Sequence, residues 1–89
     1  GEGVRRDPRR GARLYAAAAA QGDSWATCLL GLCYRDGLGV RRDLRAARRC
    51  FERALRAADR DGNKETRKMA REELEKLGAA AKDRRRRRG

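Results

Sequence analysis

The sequence predicts an all-α fold, an α-solenoid in which antiparallel helix pairs stack side by side. One observation is a helical face: the apolar residues of the segment 24–35 follow the spacing i, i+3, i+4, i+7 and i+8, and they are Ala26, Leu29, Leu30, Cys33 and Tyr34. Another is an internal repeat, because the segments 1–7 and 37–43 share Gly, Gly, Val, Arg, Arg and Asp at an offset of 36 residues. Together they predict one complete repeat flanked by partial ones.

Local signals place the first helix between Asp7 and about Gln21. Asp7 suits the N-cap position, and Pro8 suits the first helical position because its missing N–H is not needed there. The alanine run 16–20 adds helix propensity and small side chains that allow close packing. We therefore expect this helix to pack closely against a neighbour.

The second helix is predicted from Ser24 to about Arg35, after the loop 21–23. So short a loop makes the two helices antiparallel neighbours. Asp23 or Ser24 can cap this helix. Gly31 lowers its helix propensity, which indicates close backbone approach by a neighbouring helix.

Asp43 is predicted to cap a third helix that runs from Leu44 to about Asp59. Its apolar face is the most regular of the chain and consists of Ala47, Cys50, Phe51, Ala54, Leu55 and Ala58. A highly charged fourth helix follows the loop 61–63 and ends near Ala81. We thus divide the chain into a repeat region (1–58), a C-terminal capping helix (59–81) and a disordered basic tail (82–89).

The charge balance is strongly basic. Lys and Arg total 25 against 13 for Asp and Glu, a net charge of +12. Two groups of arginines are candidates for contact with an anionic surface. The arginine ladder consists of Arg41, Arg42, Arg45, Arg49 and Arg53, and the tail arginines are Arg84, Arg85, Arg86, Arg87 and Arg88. An ordinary solvent-exposed helix surface that is rich in arginine accounts for the same pattern.

Catalytic, cofactor and metal sites are not indicated. The chain has no histidine, few hydroxyl groups and no phosphate-binding glycine loop, so we expect it not to be an enzyme and to need no cofactor. Three cysteines without metal-ligand spacing do not suggest a zinc site. They fit small buried hydrophobic residues, although a single bridge from Cys33 to Cys50 stays open. No apolar run is long enough for a membrane span.

The beginning of the sequence lies inside a repeat turn. The one methionine is Met69, and no secretory signal pattern is present. These features indicate a fragment, an engineered chain or an incomplete gene product.

The repeat has a specific pattern. It consists of the segment 16–22, the A-x3-L-G-x2-Y pattern of Ala26, Leu30, Gly31 and Tyr34, the turn 37–40, and Asp43 with Ala47. In this pattern the chain resembles the Sel-one-like repeat, a relative of the tetratricopeptide repeat. The tetratricopeptide repeat itself has a 34-residue period and a differently placed Trp. The segment 59–77 departs from the pattern, because it lacks the LG-x2-Y motif.

The resemblance implies a right-handed superhelix that acts as a scaffold for protein complexes, with partners held on the concave face. It also implies that the helix 24–35 lines this inner face, so that the arginine ladder lies mainly outside. Such repeats occur in cytosolic, luminal and secreted proteins, so location is not implied.

Two functions fit these observations. The first is protein–protein interaction, with Trp25, Tyr34 and Tyr15 as candidate anchors, because aromatic residues are favoured at binding hot spots. Tyr34 and Tyr15 lie on apolar stripes and fit the core better than the surface, whereas Trp25 lies beside the stripe and is the better surface candidate. The alternative is sequence-independent binding of nucleic acid or another anionic surface through the arginines. We also expect marginal stability and self-association through exposed repeat ends.

Overall fold

The chain forms four helices in the computed structural model, which describes the backbone of residues 7–88 and the side chains of residues 7–78. The helices are α1 (Pro8–Ala20), α2 (Ser24–Asp36), α3 (Leu44–Asp61) and α4 (Lys64–Arg88). Within this part of the chain there is no β-strand. The prediction of an all-α fold built from helix pairs is therefore confirmed.

Aspartate side chains begin the first three helices. The Asp7 carboxylate accepts hydrogen bonds from the backbone N–H groups of Arg9 and Arg10, and Asp43 does the same for the two equivalent residues of α3. Asp23 caps α2 rather than Ser24, which is buried. These caps satisfy amide groups that have no partner inside the helix.

The fourth helix also begins with a side-chain cap. The Asn63 amide oxygen accepts a hydrogen bond of 3.1 Å from the backbone N–H of Thr66. The preceding glycine, Gly62, has a left-handed backbone and ends α3. A glycine followed by a capping residue therefore joins α3 to α4 as it joins α1 to α2.

The helices pack as successive antiparallel pairs. α2 contacts both α1 and α3, and α4 packs on α3 with a smaller contact to α2. By the offset of 36 residues, α1 is equivalent to α3 and α2 to α4. This is the arrangement of a helical repeat in which each element contacts its neighbours along the chain.

Two hydrophobic clusters hold the helices together. The larger contains Cys28, Ala47, Phe51, Ala54 and Ala70, with Phe51 fully buried, and the smaller contains Ala19, Leu30 and Cys50. Small side chains predominate in both clusters, so the helix axes can approach closely. Tyr34 packs against both clusters and so connects the core of one repeat to the next.

Gly31 lies directly beneath the ring of Phe51. A Cβ atom at Gly31 would be 2.7 Å from Phe51 Cε1. We expected close approach of a neighbouring backbone at this glycine, and this expectation is wrong in its detail. The neighbour is the fully buried aromatic side chain of α3, which needs the space that an alanine methyl group would take.

The glycine turn between α2 and α3 packs onto the beginning of α1. Gly37 has φ +72° and ends α2, and its neighbour in the turn, Gly39, has φ +75°. A Cβ atom at Gly39 would collide with the backbone carbonyl of Pro8. Two features therefore require glycine at this position, the left-handed backbone and the contact with the preceding repeat.

The fourth helix is longer than the sequence suggested. We expected it to end near Ala81 and to be followed by a disordered basic tail, but the helical backbone continues to Arg88. Alanine and arginine are both strong helix formers, and cationic residues are favourable near a helix C-terminus. The side chains of the tail arginines lie outside the described residues. α3 extends to Asp61 and therefore crosses the boundary that we placed between the repeat region (1–58) and the capping helix (59–81).

The three cysteines are free and buried, so the bridge between Cys33 and Cys50 is not formed. None of the described helices combines the length and hydropathy that a membrane span requires.

Candidate partner-binding groove

An open groove runs between the equivalent helices α1 and α3. Its volume is about 720 Å³, and Thr27 of α2 and Gly22 of the preceding loop contribute to its lining. The remaining lining residues are Ala19, Arg53, Arg56, Ala57, Asp59 and Arg60. Concave surfaces of this kind, between neighbouring helices, are common binding sites.

The lining of the groove combines small side chains with arginines. Ala19, Ala57 and Thr27 are buried, and the Thr27 hydroxyl donates a hydrogen bond of 2.7 Å to the backbone carbonyl of Asp23. Its donor is therefore already used within the chain. These short side chains leave space for a ligand side chain or a peptide backbone.

Three arginines line the side of the groove formed by α3. Arg53, Arg56 and Arg60 are exposed and follow the spacing i, i+3 and i+7, which places them on one face of the helix. Among the described residues, none of the three forms an ion pair. The same wall includes Asp59, whose carboxylate lies 3.2 Å from the guanidinium of Arg67 on α4. This carboxylate is thus paired outside the groove.

The aromatic candidates lie in two different environments. Trp25 is 41% exposed in the first turn of α2 and is not part of the groove lining. Tyr15 and Tyr34 are half-buried and pack against the cluster of Ala19, Leu30 and Cys50. The two tyrosines therefore contribute to the core, and only Trp25 presents a large exposed surface.

The arginine ladder does not form a single surface. All five of its members are exposed, but only Arg53 lines the groove between α1 and α3. Arg41 lies with Arg9 around a smaller depression beside the glycine turn, and Arg42 donates a hydrogen bond of 3.3 Å to the backbone carbonyl of Arg35. The groove also differs from the expected inner face, because most of its lining comes from α3 and α2 contributes only Thr27.

Arg56 and Arg60 were not predicted as site residues. Their spacing relative to Arg53 was a visible signal, but a row of arginines on one helix face is equally typical of solvated surfaces. The row becomes the wall of a groove only in the folded chain, where Ala19 of α1 and Thr27 of α2 complete the lining.

Burial makes the three cysteines weak nucleophiles. Burial, with the Glu73 carboxylate nearby, raises the pKa of the Cys28 thiol to about 11. Burial also raises the pKa of the Cys33 and Cys50 thiols. Because the thiolate is the reactive form, all three are inert near neutral pH. In the part of the chain that the structure describes, no group of side chains has the composition of a metal site.

Comparison with known families agrees with the helix pairs and the glycine turn. Residues 1–23 and 26–59 match the Sel1 repeat, which covers more than half of the sequence. The chain therefore belongs to the Sel1 repeat family, and the resemblance seen in the sequence is confirmed.

Two curated relatives share part of this region. The chain is 38% identical over 48 residues to "DAP3-binding cell death enhancer 1" of Rattus norvegicus and 40% identical over 48 residues to the protein of the same name in Mus musculus. Each match covers 54% of this chain but only 9% of the relative. No solved structure matches the chain significantly.

Proposed function

We propose that the chain is a non-enzymatic protein-interaction scaffold. The observation that carries this proposal is the open groove between α1 and α3 in a chain of the Sel1 repeat family, whose members typically mediate protein–protein interaction. Helical repeats bind partners along extended surfaces formed by successive equivalent helices. The groove spans two neighbouring repeats, since α1 and α2 of the first and α3 of the second contribute to its lining.

A second surface supports the proposal. Trp25 is exposed at the beginning of α2, where a large apolar side chain has no structural need to face solvent. Tryptophan is among the residues most often found at binding hot spots, because it offers a large rigid contact area. We therefore propose Trp25 as an anchor residue, while Tyr34 and Tyr15 support the scaffold from inside.

The relatives supply one candidate partner. Their name describes them as binding DAP3, and the chain matches a small part of them. DAP3 is therefore a reasonable first protein to test. The repeat fold alone does not determine which partner a member of the family binds.

Peptide display tests the proposal without knowledge of the partner. A random-peptide library is selected on the immobilised chain, and each enriched peptide, together with purified DAP3, is measured by isothermal titration calorimetry. We expect at least one ligand with a Kd of the order of micromolar, typical of a modest peptide interface. If no peptide is enriched and DAP3 does not bind, the proposed function is wrong.

Two variants test the role of Trp25. Trp25→Ala is expected to weaken binding of the selected ligand at least about tenfold if this residue is a hot spot. Leu38→Ala is the matched control, because Leu38 is also a large apolar side chain with half of its surface exposed. Equal effects of both substitutions, or a lowered melting temperature in Trp25→Ala alone, would count against an anchor.

A further inference from the structure

The groove between α1 and α3 carries a positive charge that no side chain of its own lining balances. Arg53, Arg56 and Arg60 lie on one wall, without ion pairs among the described residues. The carboxylate on the same wall, Asp59, is paired with Arg67 of α4 at 3.2 Å. The groove thus retains three guanidinium groups that are available to a ligand.

The concave setting distinguishes these arginines, because exposed arginines such as Arg45 and Arg49 also lack an ion pair among the described residues. Elsewhere on α3 the exposed Arg48 lies 3.7 Å from Glu52, and on α2 Arg35 binds two carboxylates. The groove arginines instead lie along one wall of a concave surface of small side chains, formed by Ala19, Ala57 and Thr27. Water is displaced more readily from a concave surface of this kind than from a convex helix face, which strengthens charge pairing there.

We infer that the groove binds an acidic segment of a partner protein, with Asp or Glu carboxylates on Arg53, Arg56 and Arg60 and the peptide backbone over the small residues. The guanidinium group matches a carboxylate in geometry, because two parallel N–H groups can bind its two oxygens. The spacing of the arginines over two helical turns fits a segment with several carboxylates rather than a single one. This inference rests on the proposed function and names the chemistry of its partner.

A nucleic acid is the less favourable occupant. Recognition of unpaired bases relies on stacking against aromatic side chains, and no aromatic residue lines the groove. The experiment includes an oligonucleotide, so that binding of nucleic acid here would overturn the inference.

Fluorescence anisotropy with defined peptides tests the inference. The probes are a short labelled peptide of alternating Glu and Ala, the same peptide with Gln in place of Glu, and a single-stranded oligonucleotide of equal net charge. We expect the Glu peptide to bind at least about tenfold more tightly than the Gln peptide. We also expect its affinity to decrease as salt is raised, because the pairing is electrostatic.

Two triple variants separate the groove from the general basic charge. The groove variant combines Arg53→Gln, Arg56→Gln and Arg60→Gln, and the matched control combines Arg13→Gln, Arg45→Gln and Arg49→Gln. All six side chains are exposed, and both variants lose the same charge. We expect the groove variant to raise the Kd of the Glu peptide at least about tenfold and the control to raise it less than about threefold.

The outcomes are distinct. Equal loss in both triple variants would mean attraction by net charge and would overturn the inference, as would an oligonucleotide that binds more tightly than the Glu peptide and depends on the groove arginines. If peptides from the display library bind but acidic ones do not, the inference fails while the proposed function stands. Should the triple variant lose helicity, Arg56→Gln alone is expected to raise the Kd about threefold.

Discussion

Arg35 Nη1 donates a hydrogen bond of 2.7 Å to Glu73 Oε1 and so connects the last turn of α2 to the middle of α4. The Glu73 side chain is only 9% exposed, whereas that of Arg35 is 33% exposed. The same guanidinium group binds Asp36 through Nε and Nη2, each at 2.9 Å. One arginine therefore connects two carboxylates, of which one belongs to the next repeat unit.

Glu73→Gln is expected to lower the free energy of unfolding by about 1 kcal/mol, because it removes the charge partner of a part-buried guanidinium. Urea denaturation followed by circular dichroism measures this change. Glu72→Gln is the matched control, since Glu72 is an exposed neighbour on the same helix. Its expected effect is within about 0.5 kcal/mol. If Glu73→Gln and Glu72→Gln lower the free energy of unfolding equally, the effect comes from the net charge of α4 and not from the contact with Arg35.

Acid should weaken the contact between Arg35 and Asp36. The hydrogen bonds from Arg35 hold the pKa of the Asp36 carboxyl below its ordinary value. A carboxyl whose pKa is lowered by folding stabilises the folded state above its unfolded pKa of about 4, and this stabilisation is lost as the pH falls through the folded pKa. In urea denaturation at a series of pH values, Asp36→Asn should therefore show a weaker loss of stability below about pH 4. An unchanged pH profile in this variant would contradict the role of Asp36.

Gly31→Ala is expected to destabilise the fold. The added methyl group would lie 2.7 Å from the ring of Phe51, which is fully buried. Overpacking of a core costs about 1–3 kcal/mol, which outweighs the gain of up to about 1 kcal/mol in helix propensity.

Gly11→Ala is the control for this prediction, because a Cβ atom at Gly11 has no neighbour within 4 Å. This substitution should raise the free energy of unfolding by about 0.5–1 kcal/mol. Thermal and urea denaturation of both variants measure the difference. Stabilisation by Gly31→Ala would show that the ring of Phe51 can move aside at little cost.

Two buried threonines should respond in opposite ways to replacement by valine. The Thr66 hydroxyl is buried and, among the described residues, has no hydrogen-bond partner, whereas the Thr27 hydroxyl donates to the backbone carbonyl of Asp23. Thr66→Val should raise the free energy of unfolding by about 1 kcal/mol, and Thr27→Val should lower it by a similar amount. Chemical denaturation distinguishes the two. A destabilising Thr66→Val would indicate that its hydroxyl is hydrogen-bonded in solution.

Asp59→Asn should strengthen binding of the acidic peptide about twofold, because it removes the carboxylate of the groove wall while leaving the three arginines in place. The gain is small, since Arg67 already neutralises part of this charge. Asp61→Asn changes the net charge equally at a residue outside the groove lining and is the control. Anisotropy titrations measure both. A gain that is the same for both variants would assign the effect to net charge.

Local features were predictable from the sequence. Asp7 and Asp43 were expected to cap their helices, and both do so, because a cap depends on residues only two or three positions away. The helix pairs and the repeat followed from periodicity in the same way. The end of α4 was misjudged because repulsion among the tail arginines was weighed without their helix propensity.

Features that depend on contacts between distant residues were not predictable. The partner of Gly31 is Phe51 on another helix, and the partner of Arg35 lies 38 residues away. The groove that these arginines line likewise exists only in the folded chain, where Ala19 of α1 and Thr27 of α2 lie beside α3. Nothing in the sequence distinguishes these arginines from others of the same spacing.

The second helices of the two repeat units end differently, as the position of Glu73 shows. By the offset of 36 residues, Glu73 and Glu75 stand where the first unit has Gly37 and Gly39, and α4 passes through this point as a continuous helix. In the first unit the chain turns back at this point after α2, whereas in the second unit the helix α4 continues without a turn. The scaffold is therefore polar along its length, because a tight turn follows the second helix of one unit and an uninterrupted helix occupies the same position in the other.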